Sequence, residues 1–406
     1  MRENTPPRSP LDELVEDGES DDELIYAGDA DEVLDAWERD MNHWEEEAGI
    51  EEAEEAHTPH REPAQDDARL TFSKHTSSVF CCDLHPTEEL AVTGGEDDKA
   101  YVWSTRTGEV VHEVTNHGDS VVAVGFSYDG VFVATGDMAG YIQVFKVSQG
   151  YRKVWELTVG DIGWMRWHMG AHVLMAGCES GEVYVWRIPS GDCKVLPGND
   201  IGTEAAELTH DGKKLLVGYQ NGQVKLWDLK LGTPILEVDS TVGHKGNVTT
   251  VAVDQESQLF MTGCEDGSLC LMGPNGVLAQ LEQPNPNPIE AVLIDYPGFE
   301  IKVAASGTLD GKLTIWDAAR QTRRVVCEDD DPVGIIKLLW LKDYIICAGT
   351  VDGLIKGWDF RSGAKRFVLE GHKNIIQSIA YDKQRNVILS TSEDGTAKIY
   401  DVPTGQ

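Results

Sequence analysis

The chain has 406 residues, 41% of them hydrophobic, and a formal net charge of −36. That length suits one large repeat domain with an appendage. A polyanion of this strength argues against direct binding to nucleic acid or insertion into an anionic membrane, and in favour of a basic protein or peptide partner.

The charge is unevenly placed. Residues 1–68 hold 25 Asp and Glu against 4 Arg, a net of −21, which leaves −15 for the other residues. A segment so acidic and so poor in β-branched residues is expected to be mostly disordered. One stretch departs from that: Val33, Trp37, Met41 and Trp44 share a face if residues 31–47 turn helical. Asp31 and Glu32 would favour the start of that helix. It is either a helix that forms transiently or a short docking motif, on a partner or back on the rest of the chain.

From residue 69 the period changes to two, the mark of strands. Residues 69–72 read as a strand with no sheet of its own. Val79–Leu84 then reads as strand a, 90–93 as strand b, 96–99 as a turn, 100–103 as strand c and Val110–Val114 as strand d. The grammar repeats in Val121–Phe126, 131–135 and 141–145, and in every later unit. The run Gln283-Pro-Asn-Pro-Asn-Pro288 cannot be a central strand and is expected in an exposed loop.

The repeat is regular. Turn positions fall at Asp97, Ala139, Ser180, Asn221, Asp266, Asp310, Asp352 and Asp394, at intervals of 41 to 45 residues. Six residues after each comes a large side chain: Trp103, Phe145, Trp186, Trp227, Met272, Trp316, Trp358 or Tyr400. A small sheet cannot bury its apolar faces alone, so eight such units imply an all-β, eight-bladed propeller over residues 69–406. Too few residues follow Tyr400 for an outer strand. Pairing residues 69–72 onto the last blade would supply it and remove an exposed edge.

The eight cysteines, Cys81, Cys82, Cys178, Cys193, Cys264, Cys270, Cys327 and Cys347, show no CxxC pair and no zinc-like spacing. Reduced thiols packed as small hydrophobes, in a cytoplasmic or nuclear setting, are expected. No secretory leader and no apolar run of about 18 residues stands out, so a soluble intracellular protein is expected. Neither a cofactor nor a metal is implied.

Trp227-Asp228, Trp316-Asp317 and Trp358-Asp359, with Gly243-His244 and Gly371-His372, resemble the dipeptides of the WD40-repeat family. His75, His117, His244 and His372 each precede their turn position by 22 residues. The resemblance implies a buried tetrad of His, strand-b Ser or Thr, turn Asp and Trp. His75, Thr93, Asp97 and Trp103 would form a complete set. His244, Thr262 and Asp266 lack the Trp, while His372, Ser390 and Asp394 have Tyr400 in its place. The second, third and fourth units lack the turn Asp, so their tetrads are expected to be broken. A His–Asp pair could be mistaken for a general base with its orienting carboxylate. Recurrence in several blades makes it scaffold instead.

Ala91-Val-Thr-Gly-Gly-Glu-Asp-Asp-Lys-Ala100, Val133-Ala-Thr-Gly-Asp-Met138 and Gly191-Asp-Cys-Lys194 are more specific. They resemble an animal branch of the family linked to cell migration and angiogenesis. That branch is similar in turn to a fungal eight-bladed chaperone of a basic large-subunit ribosomal protein. The resemblance implies an adaptor or assembly chaperone in ribosome biogenesis, monomeric and non-enzymatic. A signalling scaffold and a ubiquitin-ligase substrate receptor are the alternatives.

Propellers usually bind at the face made by d–a and b–c loops. Asp119, Asp161, Glu204, Glu290 and the run Glu328, Asp329, Asp330 and Asp331 fall in or beside those loops, with Trp164 placed to stack on an arginine or an aromatic ring. Carboxylates around a central opening would attract a basic segment. No phosphate-binding loop or nucleophile elbow is present, and the cations are scattered among acids rather than gathered into a nucleic-acid surface.

Overall fold

The computed structural model describes residues 62–282 and 286–403. The proposed helix at 31–47 lies outside the described residues. Among those described, 32 strands make eight four-stranded antiparallel sheets. Seven sheets run a, b, c, d in chain order. Several strands begin and end where the alternation predicts, including Val79–Leu84, Val110–Val114 and Val121–Phe126. Strand b runs further than expected, to Gly95 in the first blade, because its last residues still pair with strand a.

Burial follows position within each sheet. Strands b and c lie between two neighbouring blades and are covered on both faces, as at Val387–Ser392, where every residue is buried. Strand d forms the outer rim, and Thr322–Val326 is largely exposed. All eight large residues that follow the turns are buried.

The apolar core divides into eight clusters, each spanning one junction between adjacent blades. A recurring fit helps to set the spacing. A glycine on strand b faces the first β-branched residue of the next blade. A Cβ on Gly263 would lie 2.5 Å from Ile289 Cγ2, and one on Gly307 would lie 2.6 Å from Ile335 Cγ2. On the face made by the a–b loops, neighbouring blades are also latched. His85 Nε2 pairs with the Gly130 carbonyl at 3.1 Å and His168 Nε2 with that of Gly212 at 2.9 Å, while the His210 N–H donates to Ser257 Oγ at 3.0 Å.

The last blade is completed by the start of the described chain. Leu70–Phe72 pairs antiparallel with Ala397–Asp401, with Phe72 opposite Ala397. Phe72 then stacks on Trp103 of the first blade, with ring centroids 4.6 Å apart and planes 7° from parallel. One cluster thus joins the eighth blade to the first. Polar contacts reinforce the seam: Lys398 Nζ donates to Asp66 Oδ2 at 2.7 Å and to Thr71 Oγ1 at 3.0 Å, and Asp67 exchanges hydrogen bonds with Glu370.

All eight cysteines are free thiols, five of them buried. Because Phe72 is 2% exposed, Phe72→Ala is expected to destabilise the propeller by about 3–5 kcal/mol through loss of burial and cavity formation. Thermal unfolding monitored by circular dichroism checks this; a midpoint like the wild type's would show that the seam contributes little.

Candidate binding face

The recurring polar sets have distinct geometries. In the first blade His75 Nδ1 pairs with Asp97 Oδ1 at 2.9 Å and Nε2 with Thr93 Oγ1 at 3.1 Å, and the Trp103 indole N–H donates to Thr93 Oγ1 at 3.3 Å. Asp97 also accepts the Thr76 N–H. In the eighth blade His372 pairs with Asp394 at 2.9 Å and Ser390 at 2.7 Å, while the Tyr400 hydroxyl is buried without a hydrogen bond. Burial pushes the Asp394 carboxyl up, but His372 and the surrounding donors outweigh it and hold it well below the ordinary range.

Two expectations need correction. The second blade is not broken: His117 pairs with Asp137 at 3.0 Å and Thr135 at 2.9 Å. Its carboxylate comes from the end of strand b, two residues before the turn position at Ala139, and reaches the same imidazole. In the fifth blade His244 does not bond Asp266. Its Nδ1 pairs with Ser268 Oγ at 2.5 Å and its Nε2 with Thr262 Oγ1 at 2.7 Å. Asp266 turns to the N–H groups of Lys245 and Ser268. His244, Cys264 and Asp266 bring three donor atoms within 4.8 Å of one another. Both ring nitrogens are already engaged, and burial pushes the Cys264 thiol up to about 11, so the arrangement reads as scaffold.

The opposite side of the ring, made by d–a and b–c loops, is organised by one backbone bond repeated in all eight blades. The residue just before each turn position donates its N–H to a d–a loop carbonyl at 2.9–3.1 Å, from Glu96 to Ser78 through Glu393 to Ile375. This bond fixes eight equivalent side chains on that face: Glu96, Met138, Glu179, Gln220, Glu265, Leu309, Val351 and Glu393. Four are carboxylates, and sequence reasoning passed over them although the repeat places them one residue before each turn. They are accessible. Glu96, Glu179 and Glu265 are exposed and Glu393 half-buried.

The acids singled out from the sequence fall differently. Asp119 and Asp161 lie in d–a loops on this face, half-buried and exposed. Glu204 and Glu290 occupy the second position of strand a in the fourth and sixth blades, and because both act on Lys337 of the seventh blade and on each other, they face the central channel. Burial raises the Glu290 carboxyl, opposed by Lys337 and reinforced by Glu204 and Glu265. These groups therefore share one field. Cations lie nearby: Arg166 pairs with Glu207 at 3.0 Å, and the Lys337 ammonium is held below its ordinary range by burial and Arg166, partly offset by Glu290 and Glu204.

Trp164 is not available for stacking. It is 8% exposed, packs into the junction between the third and fourth blades, and donates its indole N–H to Thr203 Oγ1 at 3.1 Å. The acidic run 328–331 is likewise mostly structural. Asp329 is buried against Lys356 (2.8 Å) and Lys365 (3.0 Å). The Asp331 carbonyl also accepts from Lys356, and the Glu328 carbonyl accepts the Trp358 indole N–H. The Asp330 side chain is fully exposed.

A ring of eight repeats presenting a loop face defines a WD40-repeat propeller, a fold that generally serves as a binding platform. The WD domain, G-beta repeat family matches residues 67–104, 108–146, 236–271 and 363–401. Those segments contain the four blades' tetrad histidines, His75, His117, His244 and His372. The chain is 37% identical over 350 residues to the human angio-associated migratory cell protein, covering 82% of this chain and 80% of that one, and it belongs to that protein's family of WD-repeat proteins. It is 23% identical over 381 residues to ribosome assembly protein SQT1 of Saccharomyces cerevisiae, covering 82% and 86%. The crystal structure of that yeast Sqt1 superposes with a TM-score of 0.75 at 20% identity, covering 84% of this chain and all of the other. Sqt1 of Chaetomium thermophilum, bound to the N-terminus of ribosomal protein L10, gives 0.75 at 19% identity, covering 83% and 100%.

Two outcomes follow. Asp329→Asn leaves the Lys356 ammonium, which is 3% exposed, with the neutral Asp331 carbonyl but without its counter-charge, and should cost about 3 kcal/mol. Asp330→Asn should stay within about 0.5 kcal/mol. Urea unfolding of the two variants distinguishes them, and equal stabilities would contradict the buried pair. His244 titrates near 4 in the fold because of burial, against 6.5 when free. The unfolded chain therefore binds the extra proton between those values. His244's contribution is complete above about pH 6.5 and is lost as pH falls toward 4. The stability difference between wild type and His244→Asn should shrink by up to roughly 3 kcal/mol from pH 7 to pH 4. A pH-independent difference would show that the ring titrates normally.

Proposed function

We propose that this protein is an assembly chaperone whose acidic face captures a basic segment of a client, a large-subunit ribosomal protein, in the cytoplasm. The supporting observation is the repeated backbone bond that sets Glu96, Glu179, Glu265 and Glu393 around one face, with Glu204 and Glu290 in the channel beneath. Likeness to Sqt1, one of whose structures holds the N-terminus of ribosomal protein L10, supports the same reading.

The mechanism is electrostatic shielding. Carboxylates held in place by the scaffold attract arginine and lysine side chains before contact and speed encounter. Once seated, the segment is withheld from RNA. Ribosomal RNA offers a far denser array of phosphates and draws the segment away when the client reaches its site. One propeller serves one client, as a monomer, without binding nucleic acid itself.

The quadruple variant Glu96→Gln, Glu179→Gln, Glu265→Gln and Glu393→Gln is expected to bind an arginine-rich peptide at least about tenfold more weakly, at the scale of exposed ion pairs. It should also show a shallower dependence on salt. Calorimetric titration at two ionic strengths measures both. Unchanged affinity and slope would remove this face from the client site.

A further inference from the structure

The eight equivalent positions are not all polar. Leu309 and Val351, in the adjacent sixth and seventh blades, stand where four other blades carry glutamate. Leu309 is 46% exposed, far above a core leucine. Both are fixed by the repeated backbone bond, Leu309 N–H to the Pro288 carbonyl and Val351 N–H to that of Gly334, each at 2.9 Å. The two side chains converge. A Cβ on Gly334 would lie 2.7 Å from the Leu309 carbonyl oxygen, 3.1 Å from Val351 Cγ1 and 3.3 Å from Leu309 Cδ1, so the two apolar side chains close over the glycine and form one continuous apolar spot.

The surroundings keep this spot apolar. In these two blades the tetrad histidine is absent, and the d–a loops pass through Pro286 and Pro288, and through Pro332 and Val333. The neighbouring turn carboxylates point back into their own turns. Asp310 is held by Thr308, Lys312 and Asn287, and Asp352 by the Thr350 hydroxyl. The equivalent positions of the flanking fifth and eighth blades carry the accessible acids Glu265 and Glu393, and the d–a loop before the seventh blade carries the exposed Asp330, which pairs with Lys365 at 3.3 Å.

We propose that this notch in the ring of carboxylates is an apolar contact spot of the client face and takes one apolar residue set within the basic segment, so that the face selects a mixed sequence rather than positive charge alone. The inference rests on the client-binding reading and adds a register to it. Charge alone would let a basic segment slide around a ring of carboxylates. An apolar residue seated against Leu309 and Val351 fixes which arginine meets which glutamate. Burying a leucine there would contribute about tenfold or more in affinity.

Two arginine-rich synthetic peptides of equal length and charge, one with a central leucine and one with serine in its place, test this against the full chain by calorimetry. The leucine peptide is expected to bind about tenfold more tightly to the wild type. In the double variant Leu309→Ser and Val351→Ser that preference should vanish, while the salt dependence stays as in the wild type. Equal binding of both peptides to the wild type, or a preference that survives in the variant, would overturn the notch and leave the acidic face standing. Failure of both peptides to bind even at low ionic strength would overturn the client-binding reading and the notch with it. Thermal unfolding of the variant alongside verifies that the surface substitutions leave the ring folded.

Discussion

Each blade of this propeller has two apolar faces, and each face is satisfied only by another blade. The eight clusters that make up the core are all junctions; each draws its residues from two adjacent blades. Such an arrangement has no stable end unless the last face meets the first. Here Leu70–Phe72 supplies the missing strand of the eighth sheet, and Phe72 carries the contact across to Trp103. The seam is thus a piece of the sheet itself, with hydrogen bonds along the strand and an aromatic stack across the gap.

Closure also positions the binding face. With the blades fixed around an axis, one backbone bond repeated in each of them sets eight side chains in equivalent places. The scaffold spends its own polar groups on local tasks: histidines on strand-b hydroxyls, Asp329 on Lys356, Asp359 on Arg361 and Arg366. Accessible acids on the d–a and b–c loop face include those in the positions the repeated bond fixes and a few in the d–a loops. A negative face therefore arises from carboxylates that the repeat orients and that accept only neutral donors: Ser77 and Ser78 at Glu96, Gln220 at Glu179, the Asn247 N–H at Glu265 and Gln377 at Glu393. The channel also holds cations: Arg166 pairs with Glu207, while the charged form of Lys337 is opposed by burial and by Arg166 and favoured by Glu290 and Glu204.

Much of the architecture was legible because strands obey a two-residue period and the repeat fixes their order. Trp103 and Trp358 are buried where the spacing puts them. The details that failed depend on contacts between residues distant in sequence. Trp164 looked accessible because it follows Asp161 in a loop-like stretch, yet strand a had already begun at Ile162 and turned the indole toward Thr203 in the next blade. Asp329 read as one carboxylate of an acidic binding loop, and its partner Lys356 sits 27 residues on, in strand c of the next blade. Asp137 escaped notice because the carboxylate was sought only at the turn position, although the end of strand b reaches the same imidazole. Glu96, Glu179, Glu265 and Glu393 were within reach of the sequence, and comparing the residue before each turn across the repeats would have found them.

The most direct test of the account is a structure of the full-length protein with its basic client segment bound. The account predicts the segment lying across the b–c turns, with guanidinium or ammonium groups against Glu96, Glu179, Glu265 and Glu393. A segment seated on the outer strands or at the a–b loops, with those four carboxylates facing only water, would contradict it.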